Sequence, residues 1–359
     1  MNLSGKQSFT LVEVLITVGI LSIIVGVGFL NLTGFKSKHS FDLDAENVVA
    51  SIRNTQNRAL LGEGGTSWGI RFVSSATGGS YEIFSGTEYA PSSVVVSDAL
   101  SVSSRFYNPP SGFSKTIVFS PISGLPSNAD TIVLGRSSGD DLYIISINAL
   151  GRVSISYETG LVGYWAFDEG LGTEARDSSL SGNHGTLVNT PTWQSACRNG
   201  GSCLYFTNTA HVSFSSSTNI PMENSNYSIA AWIKTDSMGI RGIVGWGNYG
   251  VANQVNALRL SGTGFRHYWW ANDLDGSTSS LSGVWHHVVA VFDGTNRIIY
   301  LDGVELVSDT PSGHNVPNAD NLTIAKTYTT EYFEGYIDEV RIYDYGLTPT
   351  QVEQLYESY

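Results

Sequence analysis

The sequence predicts two folded units in series: an N-terminal α+β unit, made of a long membrane helix plus an antiparallel sheet, and then an all-β jelly-roll sandwich. Three observations carry this. One unbroken apolar run, Phe9 to Leu32, stands near the start. Almost everything after residue 66 is short alternating runs punctuated by Gly, Asn, Asp and Pro, the pattern of strands and turns. The 359 residues exceed one ordinary domain, and with 14% charged residues and 39 glycines they suit short strands better than long solvated helices. The 41% hydrophobic content is ample for buried cores and argues against disorder.

The chain has 19 basic and 32 acidic residues, a net charge of −13, and residues 160–359 hold 20 of the acids against 9 of the bases. A field of that sign repels phosphate backbones, so nucleic acid is not an expected partner, whereas cations and neutral sugars are admissible.

Phe9 to Leu32 is 24 residues with a single charge, Glu13. At about 1.5 Å per residue a helix of that length crosses a hydrocarbon core of about 30 Å. A secretory signal would be shorter and would not carry a carboxylate inside its apolar run. Burying that carboxylate costs roughly 2.5–3.5 kcal/mol on insertion scales, so Glu13 calls for a partner, and an amine is the obvious one.

The string Phe9-Thr10-Leu11-Val12-Glu13 after a short leader resembles the start of type IV prepilins and pseudopilins. That resemblance implies a leader of residues 1–8, a prepilin peptidase cutting between Ser8 and Phe9, methylation of Phe9, and Glu13 paired with the terminal amine of a neighbouring pilin subunit. Ser8 stands where the family has Gly. The implied location is a single pass through the inner or cytoplasmic membrane, followed by a pilus or pseudopilus at the cell surface.

Beyond the span, Asp42 and Asp44 suit the start of a helical turn. Ala45, Val48, Val49, Ile52, Ala59 and Leu60 then recur at three- and four-residue intervals, extending the helix to residue 62. From 63 to 157 the runs SWGIRFV, SYEIFS, KTIVFS, DTIVLG, DLYIISIN and GRVSISY read as an antiparallel sheet packed on that helix. The fragments IVFSPISGLPS and NALGRVSI resemble the globular head of minor pseudopilins. A short hinge, 158–160, leads to the second unit.

Residues 161–359 supply about ten strand candidates, enough for two packed sheets. The strings GYWAFDEG, DSSLSGNHGTL, YSIAAWIKT, WHHVVAVFDGTNRIIYLDGVEL and GYIDEVRIYDYGLTPTQVEQLY resemble laminin-G-like domains of the concanavalin A superfamily. The resemblance implies a sandwich whose concave face binds glycans, proteins or proteoglycans. Glucanases of this fold place two carboxylates about 5–5.5 Å apart using Glu-x-Asp-x-x-Glu. No such run occurs, and the pairs Asp168-Glu169, Asp273-Asp275 and Asp338-Glu339 have the wrong spacing or lie at turns, so hydrolysis is not expected.

A structural Ca²⁺ is the cofactor the resemblance implies. It would be held by the Asp338 side chain, with carbonyls near Asp168 and in the 200–202 turn, and with Asp177 as a further ligand; the alternative is that Asp338 only bonds backbone. Ca²⁺ takes six to eight oxygens, which carbonyls and Asp supply. For ligand contact the candidates are Trp246 beside a turn, and Tyr268, Trp270 and Asn272 in GFRHYWWAND. Strand alternation puts Tyr268 and Trp270 on one face, with His267 and Trp269 on the other. One of the two sets is core. Cys197 and Cys203, with the five residues RNGGS between them, are placed to close a small disulfide loop outside the cytoplasm, or else are two reduced thiols.

The expected function is therefore that of a minor pilin or pseudopilin displaying a recognition module for a glycan or a surface protein. Alternatives are a secretion-system pseudopilin whose extra domain binds cargo, and an anchored receptor that never polymerises.

Overall fold

The computed structural model describes residues 11–358 apart from 138–140, 196, 199–200 and 279–280. In the first helix it describes the side chains of residues 15, 16, 18–20 and 35 onward. Ser8 and Phe9 lie outside the described residues, as does the side chain of Glu13. Among the described residues no helix is long and apolar enough to cross a membrane. The segment 9–32 expected to do so has most of its side chains outside that description.

Helix α1 runs Leu11–Leu60. Its lower half buries Phe41, Ala45, Val48, Val49, Ile52 and Ala59 along one stripe, whereas Leu60 is 43% exposed. Asp42 and Asp44 do not begin a helix. They sit inside α1 and fasten the sheets to it: the Tyr143 hydroxyl donates to Asp42 Oδ1 at 3.0 Å, and the Ser101 N–H to Asp44 Oδ2 at 3.0 Å.

Two four-stranded antiparallel sheets, rather than one, pack against that stripe. In spatial order the first comprises Val94–Ala99, Gly78–Ser85, Trp68–Ser75 and Ser114–Phe119. The second comprises Ser104–Asn108, Asp130–Arg136, Leu142–Ile147 and Val153–Glu158. Val94–Ala99 and Ser104–Asn108 lack a clean alternation of apolar and polar residues, which is why the sequence did not mark them.

The second head sheet is apolar on both faces. Ile132, Leu134, Ile145 and Ile147 face α1, while Val133, Leu142 and Ile144 pack on Ala230, Val289, Val291 and Tyr343 of the C-terminal module. This two-sided burial explains why Asp130–Arg136 and Leu142–Ile147 read as nearly continuous hydrophobic runs.

The module is a sandwich of two eight-stranded sheets. The head-side sheet is built around Gly335–Tyr343, Tyr227–Thr235 and His286–Phe292, and its opening strand Leu161–Trp165 pairs antiparallel with Gly335–Tyr343. The first and last strands of the module thus close it. The far sheet includes His211–Phe214, Thr323–Ile324, Ile240–Gly247, Val255–Ser261, Gly264–Tyr268 and Leu274–Ser277. Between them lies the main core, with Trp165, Trp246 and Trp269 fully buried. Helix α2, Pro349–Glu357, is capped by a reciprocal Thr348–Gln351 pair and buries Val352 and Leu355 in the same cluster as the head contact. The layers therefore stack as α1, head sheet, head-side module sheet and far sheet, with the outer face of the far sheet turned away from the head.

Candidate functional site

Two places gather the residues singled out from sequence. The first is the outer face of the far sheet. Strand Gly264–Tyr268 alternates, so His267 and Phe265 point inward and Tyr268 outward; Trp269 lies in the core and Trp270 joins Tyr268 outside. Tyr249, Tyr268, Trp270 and Tyr328 form one cluster there, with ring centres 5.7 Å apart for Tyr268–Trp270, 4.9 Å for Trp270–Tyr328 and 5.9 Å for Tyr249–Tyr328. The Arg259 guanidinium lies 3.9 Å from the centre of the Tyr268 ring and is ion-paired with Glu331. Tyr268 is only 5% exposed and acts as the floor, whereas Trp270 is half-buried and Tyr328 is 37% exposed.

Gly245 makes room for this arrangement. A Cβ at that position would come within 2.7 Å of the Ala257 Cβ and would also strike the Tyr249 hydroxyl. That hydroxyl is buried without a hydrogen-bond partner. Alongside runs a groove of about 460 Å³ lined by His211, Asn248, Asn321, Lys326, Thr327 and Tyr328. Burial pushes the His211 imidazole below its ordinary value, so its ring is neutral at pH 7.

Two expectations need correcting here. Trp246 does not reach a ligand: it is fully buried and donates its indole N–H to the Pro221 carbonyl at 2.8 Å, because its strand position points into the sandwich. The Asn272 NH₂ group is occupied, donating to Asn253 Oδ1 at 2.6 Å and to the Ser312 carbonyl at 3.2 Å, which leaves only its Oδ1 for a ligand. Tyr249 and Tyr328 were missed. They stand in loops about eighty residues apart, and only strand pairing across the sheet brings them to Trp270.

The second place is the junction of head and module. Asp168 and Asp338 come together there, lining a void of about 10 Å³ with Glu339, Gly201 and, from the head, Ala129 and Asp130. Burial pushes the carboxyls of Asp168 and Asp338 well above the ordinary range; Lys115 opposes this at Asp168, and the Glu339 charge adds to it at Asp338. Lys115 is ion-paired with Asp130 and also donates to the Thr131 carbonyl at 3.2 Å.

Asp177 does not join this group. Its two oxygens accept from the N–H groups of Tyr164, Ser179 and Asn183 and from the Ser179 hydroxyl, all at 2.7–2.8 Å. It organises its own loop and has no lone pair directed at a cation. Among the described residues no three His, Cys, Asp or Glu side chains converge as a metal-ligand set. A cation in the void would therefore rest on two carboxylates and backbone carbonyls, and the void has room for about one water-sized probe. Cys197 and Cys203 form a disulfide, with Cα atoms 5.8 Å apart.

A family model for the prokaryotic N-terminal methylation motif matches residues 3–29. A second, described as the concanavalin A-like lectin/glucanases superfamily, matches residues 206–353. No curated protein matches the chain. Among solved structures, domain 4 of AbnA, an extracellular arabinanase from Geobacillus stearothermophilus solved with arabinotriose, is 20% identical with a TM-score of 0.42 and covers 54% of this chain and 97% of that one. The binding domain of Paraclostridial Mosquitocidal Protein 1 is 16% identical with a TM-score of 0.45, covering 56% and 52%. A Trypanosoma rangeli sialidase in complex with sialic acid is 13% identical with a TM-score of 0.45, covering 81% and 53%. The chain thus spans about half the length of the last two. It carries a prokaryotic N-terminal methylation motif at its start and a concanavalin A-like lectin/glucanase domain in its C-terminal half.

Proposed function

We propose that this protein is a minor type IV pilin or pseudopilin that presents its jelly-roll module for glycan recognition at the cell surface. The observation that carries the reading is the cluster Tyr249–Tyr268–Trp270–Tyr328 on the face turned away from the head. Sugar rings stack their C–H faces on aromatic side chains, which offer large area at small entropic cost. Trp270 and Tyr328 have open area for that contact, and Lys326 stands beside Tyr328 for hydroxyl groups. Binding of the full chain to a glycan array, compared with its Trp270→Ala variant, tests the reading. Array binding that Trp270→Ala leaves unchanged would remove its basis.

The methylation motif supports the rest: cleavage of residues 1–8 by a prepilin peptidase, methylation of Phe9, and assembly with other pilin subunits through Glu13. Leu15, Ile16, Val18 and Ile20 are 53–64% exposed on α1, apolar surface suited to lipid or to neighbouring helices. A bulky module stacked on the head suits a rare subunit better than the repeating one.

The module reads as a binding module rather than a hydrolase, since Asp273 and Asp275 are both ion-paired to Arg266. A single structural Ca²⁺ between Asp168 and Asp338 belongs to the proposal and is supported by the oxygen-lined void. Because Ala129 and Asp130 of the head also line that void, the ion would fasten the two units together.

A further inference from the structure

The groove beside Tyr328 runs against the charge of the module that carries it. Residues 160–359 hold 20 acids against 9 bases, yet among the described residues no carboxylate lines this groove of about 460 Å³, whereas Lys326 and His211 do. Its volume is that of an ordinary small-ligand site. Most of its polar side chains are already engaged within the protein. Asn321 Oδ1 accepts from the Gly247 N–H at 2.9 Å, and its NH₂ group donates to the Gly247 carbonyl at 2.8 Å. Asn248 donates to Gln254 Oε1 at 2.8 Å, the Thr323 hydroxyl to the Lys326 carbonyl at 2.9 Å, and the Thr327 hydroxyl to Glu331 Oε2 at 2.6 Å.

Lys326 is the exception. Its side chain is half-buried, and among the described residues its ammonium has neither an acid partner nor a hydrogen-bond acceptor. The nearest acid along the chain, Glu331, is held by Arg259, by the Thr327 hydroxyl and by the Tyr328 N–H at 3.4 Å. What the ammonium does meet is the Tyr332 ring, with Nζ 5.2 Å from its centre, and that ring lies 5.6 Å from the His211 ring. An aromatic face attracts a cation without cancelling its charge or filling its N–H donors. His211 brings no competing acid: its Nδ1 stands 2.9 Å from the Thr209 carbonyl, which can only accept, so Nδ1 carries the proton and Nε2 is an acceptor. Three unfilled donors on one positive centre, next to the stacking surface of Tyr328 and Trp270, call for one negative group on a sugar ring. A polyanion would be repelled by the acidic remainder of the module.

We propose that the glycan taken by this face is acidic: a sugar bearing one carboxylate or sulfate pairs that group with the Lys326 ammonium while its ring lies on Tyr328 and Trp270. This rests on the glycan reading above and adds the class of sugar. The contact is a charge-assisted hydrogen bond at a partly open site, stronger than a neutral one and weakened by salt.

The test applies the full chain, in nanodiscs of uncharged lipid, to an array of uronate oligomers, sialyl oligosaccharides and singly sulfated galactosides. Each stands beside its neutral counterpart, the methyl ester for a carboxylate and the unsulfated sugar for a sulfate. The acid form of the bound sugar is expected to bind about tenfold tighter than its neutral counterpart, and the difference should shrink as salt is raised. Which pair shows the difference assigns the acid as carboxylate or sulfate. Lys326→Gln should bring the two forms to near parity, and Lys326→Arg, which keeps the charge, should retain the preference. Trp270→Ala should weaken both forms and leave their ratio unchanged. If Trp270→Ala weakens binding but the two forms bind equally, or if an acid preference survives Lys326→Gln, the proposal is overturned and the glycan reading stands. A chain that binds no sugar on the array, or whose binding ignores Trp270→Ala, overturns both.

Discussion

The hydroxyl of Tyr343, on the last strand of the module, donates to Glu158 Oε2 at 3.1 Å, at the end of the last strand of the head. Both residues are buried. Two residues on, Gly160 takes a φ of 63°, and its carbonyl accepts from the Asp344 N–H at 2.9 Å. The segment 158–160, expected to act as a hinge, is a turn pinned on both sides. Tyr343→Phe should remove a donor from a buried carboxylate and destabilise the chain by about 1–3 kcal/mol, read as a lower urea midpoint.

The head–module contact should behave as core. Val133 is fully buried between the two units, so Val133→Asp, placing an unpaired charge against Val289 and Tyr343, is expected to cost at least about 3 kcal/mol. Limited proteolysis should then release the module. A variant as stable and protease-resistant as the parent would refute the stacked-layer arrangement.

Recognition at the far face should depend on Trp270 and Tyr328 more than on their stability contribution. Either residue changed to Ala should weaken the best glycan by about tenfold, with thermal unfolding shifted little, because both side chains retain open surface. Trp246→Ala should do the reverse, destabilising by about 3–5 kcal/mol through a core cavity.

The module should also lose stability in mild acid through its buried imidazoles. His287 packs 5.1 Å from Trp232 and 6.3 Å from Tyr356, and burial pushes its pKa down to about 3. Unfolded, it would take a proton near pH 6.5; folded, it stays neutral. Its contribution is therefore fully present above about pH 6.5 and falls by about 1.4 kcal/mol per unit as pH drops toward the folded value. The buried acids Asp168 and Asp338 have raised values and act in the opposite direction, so the comparison must be between variants. In His287→Phe the stability difference between pH 7 and pH 5 should differ from the parent's by about 2 kcal/mol, in the direction of greater acid tolerance. An unchanged difference would mean that His287 titrates normally in the fold.

Calcium should raise the unfolding free energy of the parent by about 2–3 kcal/mol at a hundredfold excess over its dissociation constant, and EDTA should reverse this. Asp338→Asn should abolish the effect. A parent indifferent to both calcium and EDTA would leave Asp168 and Asp338 as a buried acid pair without an ion.

What the amino-acid order determined by itself was periodic or contiguous: the apolar run with its lone Glu13, the stripe of α1, the alternating strands, and the division of Tyr268 and Trp270 from His267 and Trp269. These follow from local geometry, since helix and strand periods assign faces without knowledge of the neighbours. Tertiary structure alone decided the rest. Trp246 went inward and Trp270 outward because sheet register, not residue type, selects the face, and Tyr249 and Tyr328 joined Trp270 only through strand pairing. Asp168 met Asp338 across 170 residues, and a head sheet with two apolar faces turned a predicted tether into a continuous stack. Such contacts depend on which surfaces exclude water together, a property of the assembled layers that no local stretch of sequence contains.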